Sequence, residues 1–117
     1  MSATCYQPFV SGPVKYAPVS VSASGDNTIV AAVATKKIRL LSGLLVAAGT
    51  VNVKWKSAAA TDLTGAMSML NAARIEHSAT PWGQFETAAG EALVLNLSAA
   101  IGVAGWITYL EVPTSTS

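Results

Sequence analysis

Alternation with a period of two dominates this chain. It is clearest in Thr50-Val51-Asn52-Val53-Lys54-Trp55-Lys56, where Val51, Val53 and Trp55 fall on one side and Asn52, Lys54 and Lys56 on the other. Successive side chains of a strand point to opposite faces, so the segment predicts a sheet with one dry and one wet face. Glu91 to Ser98 follows the same rule, with Leu93, Leu95 and Leu97 set against Val94, Asn96 and Ser98. Trp106 to Val112 repeats it: Trp106, Leu110 and Val112 oppose Ile107, Tyr109 and Glu111. Short strands at this spacing predict an all-β sandwich of two packed sheets. The polar residues between them predict that Val51, Val53, Trp55, Leu93, Leu95 and Leu97 share one core.

The remaining elements follow from turn chemistry. Val19, Val21 and Ala23 alternate with Ser20 and Ser22, and Gly25-Asp26-Asn27 reads as the turn that ends this strand. Thr28 to Val33 is the next strand, then Lys37 to Leu41 with Ile38 and Leu40 inward. Gly43 interrupts an apolar run and marks a bulge or a bend between sheets, after which Leu44 to Ala48 continues. Thr61 to Met69 reads as a strand containing Gly65, and Met69 to His77 as a loop, with a short helix as the alternative. Ser78 to Pro81 is a loop, Trp82 to Thr87 a short strand, and Ala88-Ala89-Gly90 a turn.

Residues 1–18 differ from the rest, because Pro8, Pro13 and Pro18 recur there. Each proline removes a backbone donor and fixes φ, which a central strand does not tolerate. They predict an edge or an extended N-terminal arm over 1–18, then a sandwich domain over 19–113 and a polar tail over 114–117. An arm of this kind lies either across a neighbouring chain or along its own domain.

Composition narrows the function. Charged residues make up 11% of the 117 residues, against roughly 25% in an average soluble domain. A domain this small has much surface to keep wet, so the shortage predicts that part of it is buried against other chains. The expected state is a homo-oligomer. The net charge of +1 gives no footprint for neutralising phosphates, so nucleic acid is not expected as a partner. Cys5 is the only cysteine, which rules out an intrachain disulfide and a cysteine-built zinc site. The N-terminus lacks a basic start and apolar core, and no apolar run reaches the roughly 18 residues of a membrane span. A soluble chain made in a cytoplasm is expected.

Candidate chemistry is sparse. His77, the only histidine, stands beside Glu76 without a nucleophile elbow, a His-Glu-x-x-His helix or a spaced ligand set, and reads as a solvated loop residue. Asp26, Asp62, Glu76, Glu86, Glu91 and Glu111 are scattered through turns and strand ends. No catalytic, cofactor-binding or metal-binding residue is expected, and no cofactor: the chain does not read as an enzyme. Lys37, Arg39, Lys54 and Lys56 read as solvated strand faces rather than a basic patch. The Trp82-Gly83-Gln84-Phe85 cluster fits the end of a sandwich core, with a stacking platform for a sugar as the alternative.

One resemblance goes further. The strings Gly25-Asp26-Asn27-Thr28-Ile29-Val30-Ala31-Ala32-Val33, Lys37-Ile38-Arg39-Leu40, Val51-Asn52-Val53-Lys54-Trp55 and Thr61-Asp62-Leu63-Thr64-Gly65-Ala66-Met67 are similar to those of small tailed-bacteriophage β-sandwich proteins. So are Phe85 through Ser98 and the ending Tyr109-Leu110-Glu111-Val112. The resemblance covers 19–112 and carries no site motif. It implies a jelly-roll-like antiparallel β-sandwich with an extended N-terminal arm, acting as a structural virion protein that decorates or cements a capsid. The implied partners are further copies of the chain, a trimer being favoured, and the major capsid protein. The implied location is the virion, after synthesis in the host cytoplasm. The alternative is a tail-fibre or tail-tip module that binds a host-surface glycan through Trp82.

Overall fold

A computed structural model of the chain describes residues 13–80 and 83–113. Among these the secondary structure is all strand: β1 (Lys15–Val21), β2 (Gly25–Val30), β3 (Lys36–Ala47), β4 (Val51–Ser57), β5 (Thr61–Asp62), β6 (Met67–Met69), β7 (Arg74–His77), β8 (Phe85–Glu86), β9 (Leu93–Leu97) and β10 (Val103–Pro113). One sheet, here sheet A, runs β1-β10-β3-β7 with β8 also on β3. The other, sheet B, runs β2-β9-β4-β5 with β6 also on β4. Every pairing is antiparallel.

Taking β5 with β6, and β7 with β8, as two interrupted strands leaves eight in all. Each sheet then starts with an early strand paired to a late one: β1 with β10, and β2 with β9. The chain alternates between sheets from both ends inward, which is the wrapping of a jelly roll. The expected jelly-roll-like sandwich is therefore the fold.

The parity of the core strands holds. Val51, Val53, Trp55, Leu93, Leu95 and Leu97 are all at most 2% exposed, and they face Val19, Ile38, Leu40, Leu45, Val103 and Ile107 of sheet A. Trp55 is the largest fully buried side chain among the described residues. Its indole N–H donates to His77 Nε2 at 3.2 Å, which ties β4 of one sheet to β7 of the other. The Phe85 ring completes an aromatic cluster with Trp55 and His77.

Several expectations need correction. The sandwich begins at Lys15, not 19, because β1 pairs along β10 from Lys15 to Val21. Pro18 is tolerated there because β1 is an edge strand, where a missing N–H can face solvent. Residues 1–12 of the predicted arm lie outside the described residues. Asp26 and Asn27 belong to β2 rather than to a turn; Asn27 instead closes the preceding turn, its Nδ2 donating to the Ala23 carbonyl at 2.8 Å. Gly25 does adopt a positive φ of 95°.

The Lys37–Leu41 and Leu44–Ala48 segments are one continuous strand. Its irregularity falls at Leu41, since Ser42 pairs with Thr108 and Leu40 with Tyr109, leaving Leu41 extra. This bulge moves the inward set from Ile38 and Leu40 to Leu45 and Ala47. Gly43 is no bend: a Cβ there would sit 2.8 Å from Ile107 Cγ2, so glycine makes room for that core side chain. Arg74 to His77 is a strand rather than a loop or helix, and His77 is a half-buried partner of Trp55 rather than a solvated residue.

Candidate interaction face

In an antiparallel sheet, residues opposite one another share a face. The register of sheet A therefore places its outward side chains in rows. One row holds Pro18, Trp106, Leu44 and Glu76, and the next holds Ser20, Ala104, Val46 and Arg74. On the other side of Trp106 stand Tyr16, Thr108 and Ser42. Tyr16 is 65% exposed and Trp106 39%, with Leu44 and Val46 half-buried between their neighbours. Ser42 and Thr108 satisfy each other through a 2.5 Å hydroxyl contact, so this row presents little free polarity. The centre of the face is aromatic, aliphatic and uncharged.

Local sequence explains how Trp106 is held outward. Gly105 precedes it on the inward side, and a Cβ there would overlap the Leu44 carbonyl, so β10 and β3 can approach closely only with glycine at this point. Beside the aromatic row, a depression of about 340 Å³ is lined by small residues, among them Ser20, Ser22, Val46, Gly102 and Ala104. It contains no charged group.

Charges sit at the borders of the face. Glu86 accepts from Arg39 at 2.8 Å and pairs with Lys37 at 3.3 Å. Partial burial raises its carboxyl pKa, but the hydrogen bonds and positive charges of Arg39 and Lys37 outweigh this and hold it below the ordinary value. Lys15 and Glu111 pair at 3.3 Å at the end of β1 and β10.

The outward face of sheet B is different in kind. Lys56 reaches across β9 to Asp26 on β2 at 3.3 Å, and Asn96 donates to the same Asp26 oxygen at 2.7 Å. The Asn96 hydrogen bond is the main cause that lowers the Asp26 pKa; slight burial opposes it and Lys56 and Lys54 reinforce it. Lys54 pairs with Asp62 at 3.2 Å. The four basic residues named from the sequence thus stand on two opposite faces, Lys37 and Arg39 sharing Glu86 on one, and Lys54 and Lys56 paired with Asp62 and Asp26 on the other. They do not form a patch.

The other candidate residues fall away from any shared site. His77 has its pKa lowered by burial, and its Nε2 accepts the Trp55 proton, which requires that nitrogen to be unprotonated. Glu91 accepts from Ser57 at 2.5 Å, and that same hydroxyl receives the Ala88 N–H. Among the described residues no group of three or more histidine, cysteine, aspartate or glutamate side chains is placed to hold a metal ion. Phe85, partly buried, packs against the core cluster, as the sandwich reading of its segment expects, whereas Trp82 lies outside the described residues. The sequence pattern set Trp106 with Leu110 and Val112 as one face of its strand against Ile107 and Tyr109, but the structure turns Val103 and Ile107 to the core and Trp106 outward; Gly105, on the inward side, was the available signal.

No protein-family model matches this chain, and no curated protein or solved structure matches it.

Proposed function

We propose that this jelly roll is a structural, non-catalytic protein that works by burying surface, self-associating and docking the outward face of sheet A on a larger assembly. The observation that carries the reading is Trp106, a large aromatic held on an uncharged face between Pro18 and Leu44. Tryptophan in such a setting is the residue type that most often dominates an interface. The shortage of charge in the whole chain supports the same reading, because 11% charged residues leave much of the surface without a hydration anchor. In the setting that the phage resemblance implies, the assembly is a capsid, the partner is its major capsid protein, and the role is decoration or cementing.

Electron microscopy of particles of the phage that encodes the chain tests this directly. The expected density lies on the capsid, with the outward face of sheet A against it. Replacing Trp106 by Ser should weaken binding to those particles about thirtyfold or more, corresponding to about 2 kcal/mol at a buried aromatic anchor. Density at the tail tip, or undiminished binding of the variant, overturns the proposal.

A further inference from the structure

We infer that β7 is a self-pairing edge: two copies of the chain join β7 to β7 antiparallel about a twofold axis at Ile75, with Arg74 of each copy facing Glu76 of the other. This rests on the self-association in the reading above, but not on the Trp106 face.

The first observation is a free backbone edge. Among the described residues β7 has a strand on one side only, β3. The Ala47 N–H donates to the Ala73 carbonyl at 3.0 Å and the Ala72 N–H to the Ala47 carbonyl at 2.8 Å. Backbone groups alternate in direction along an antiparallel ladder, so Ile75 and His77 turn theirs toward β3, as Ala73 turns its carbonyl while its N–H donates to the Leu70 carbonyl. The N–H and C=O of Arg74 and Glu76 therefore point away from the sheet. An added strand gains its main-chain bonds from such a row.

The second observation is charge complementarity. Arg74 and Glu76 are exposed, stand on the same face, and form no ion pair with any described residue. A twofold axis at Ile75 places Arg74 opposite Glu76 and Glu76 opposite Arg74. Shifting the register by two residues either way places Glu76 against Glu76, or Arg74 against Arg74. Directly opposed like charges destabilise a strand pair, so the charges select one register. An interface in which the same patch serves both partners is what a closed dimer requires.

The remaining edges are guarded against this pairing. Pro18 removes a donor from β1, a register break falls between Thr28 and Val30 in β2, and β5 and β6 are separated by an interruption after Asp62. Leu70, at 68% the most exposed large apolar side chain among the described residues, lies in the turn that enters β7, at one end of the seam.

Sedimentation of the full chain at concentrations up to about 100 μM, a range that detects micromolar association, tests the inference. The expected mass is twice the 11.9 kDa of the chain. Glu76→Arg should shift it to a monomer by opposing arginines across the seam, and Arg74→Glu should do the same with glutamates. The double variant Arg74→Glu/Glu76→Arg restores complementarity and should restore the dimer. Circular dichroism of each variant separates lost pairing from lost folding; either single variant suffices if the other does not fold. A monomeric or trimeric wild type, an unaffected single variant, or a double variant that stays monomeric each overturns the inference. A Trp106→Ser chain should remain dimeric while losing particle binding, so this edge and the docking face fail separately.

Discussion

The two outward faces of this sandwich cover one core and answer to different demands. On sheet B the outward side chains are consumed within the face: Asp26, Asn96 and Lys56 form one network and Lys54 and Asp62 another. Val94 is outward yet only 5% exposed, opposite Lys56, whose chain spans β9 on its way to Asp26. A lysine stem laid over an apolar neighbour with its charge satisfied is a finished surface. On sheet A the centre carries Tyr16, Pro18, Trp106 and Leu44, and its polar pair, Ser42 and Thr108, bond to each other. Nothing there anchors water strongly. The difference teaches that the inside of a jelly roll constrains one face of each strand only, and leaves the other face to be written for solvent or for a partner.

The largest way to break the comparison is to remove what both faces share. Leu95→Ala, at a fully buried position opposite Trp55, should cost about 2 to 5 kcal/mol by transfer and cavity terms, read by urea denaturation. A change below about 1 kcal/mol would show that the β9 side chains do not fill the core as described.

Next in size is a buried polar cap at the border of face A. The Thr87 hydroxyl accepts the Ile38 N–H at 2.9 Å, and Thr87 is 2% exposed. Thr87→Val keeps the shape and orphans the donor, which should cost about 1 to 3 kcal/mol. An unchanged denaturation midpoint would argue that this N–H finds another acceptor.

A third prediction uses acid. The folded-state pKa of His77 is lowered, so the protonated form favours the unfolded chain. The stability it contributes is complete above the ordinary histidine value of about 6.5 and is lost as pH falls from there through the lowered value. Asp26 and Glu86 also have lowered pKa values, and their contribution is lost only further down, as pH falls below the ordinary carboxylate range. Thermal stability should therefore begin to fall below about pH 6.5 and fall further below the ordinary carboxylate range. His77→Gln, which can still accept from Trp55, should remove the onset near pH 6.5 and leave the fall below the carboxylate range.

The smallest expected effects sharpen the contrast between the faces. Lys54→Met removes a surface ion pair with the partly exposed Asp62 and should change stability by about 0 to 1 kcal/mol. Trp106→Ser should also leave stability within about 0.5 kcal/mol, since its site is outward and partly exposed. If Trp106→Ser proves much more destabilising than this, the aromatic is serving the fold and not a partner.

Much of the fold was legible because polar residues separate the apolar ones in β4 and β9. Asn52, Lys54, Asn96 and Ser98 leave no choice of inward face. Around β3 and β10 that signal fails: Leu40, Leu41, Leu44 and Leu45 are all apolar, so neither the bulge at Leu41 nor the continuity of the strand could be read. The strand at Arg74–His77 was hidden by its brevity and by two charges in four residues, which alone suggest a loop. The site was the least legible part. Trp106 resembles any core tryptophan until the register shows that Ile107 and Val103, not it, point inward.

The bulge at Leu41 makes β3 a strand with two phases. Ahead of it even-numbered residues face the core, and beyond it odd-numbered ones do. Flattening the bulge with Leu41 kept would rotate one half by half a turn, forcing either Lys37 and Arg39 inward or Leu45 and Ala47 out, whereas deleting Leu41 would leave Ile38, Leu40, Leu45 and Ala47 in step on one face of a regular strand. A single codon therefore acts as a frame marker for the sheet. Substitutions on one side of it can drift without constraining those on the other, and a one-residue deletion should be tolerated at this position far better than elsewhere in β3, where it would put one half out of phase with its partners.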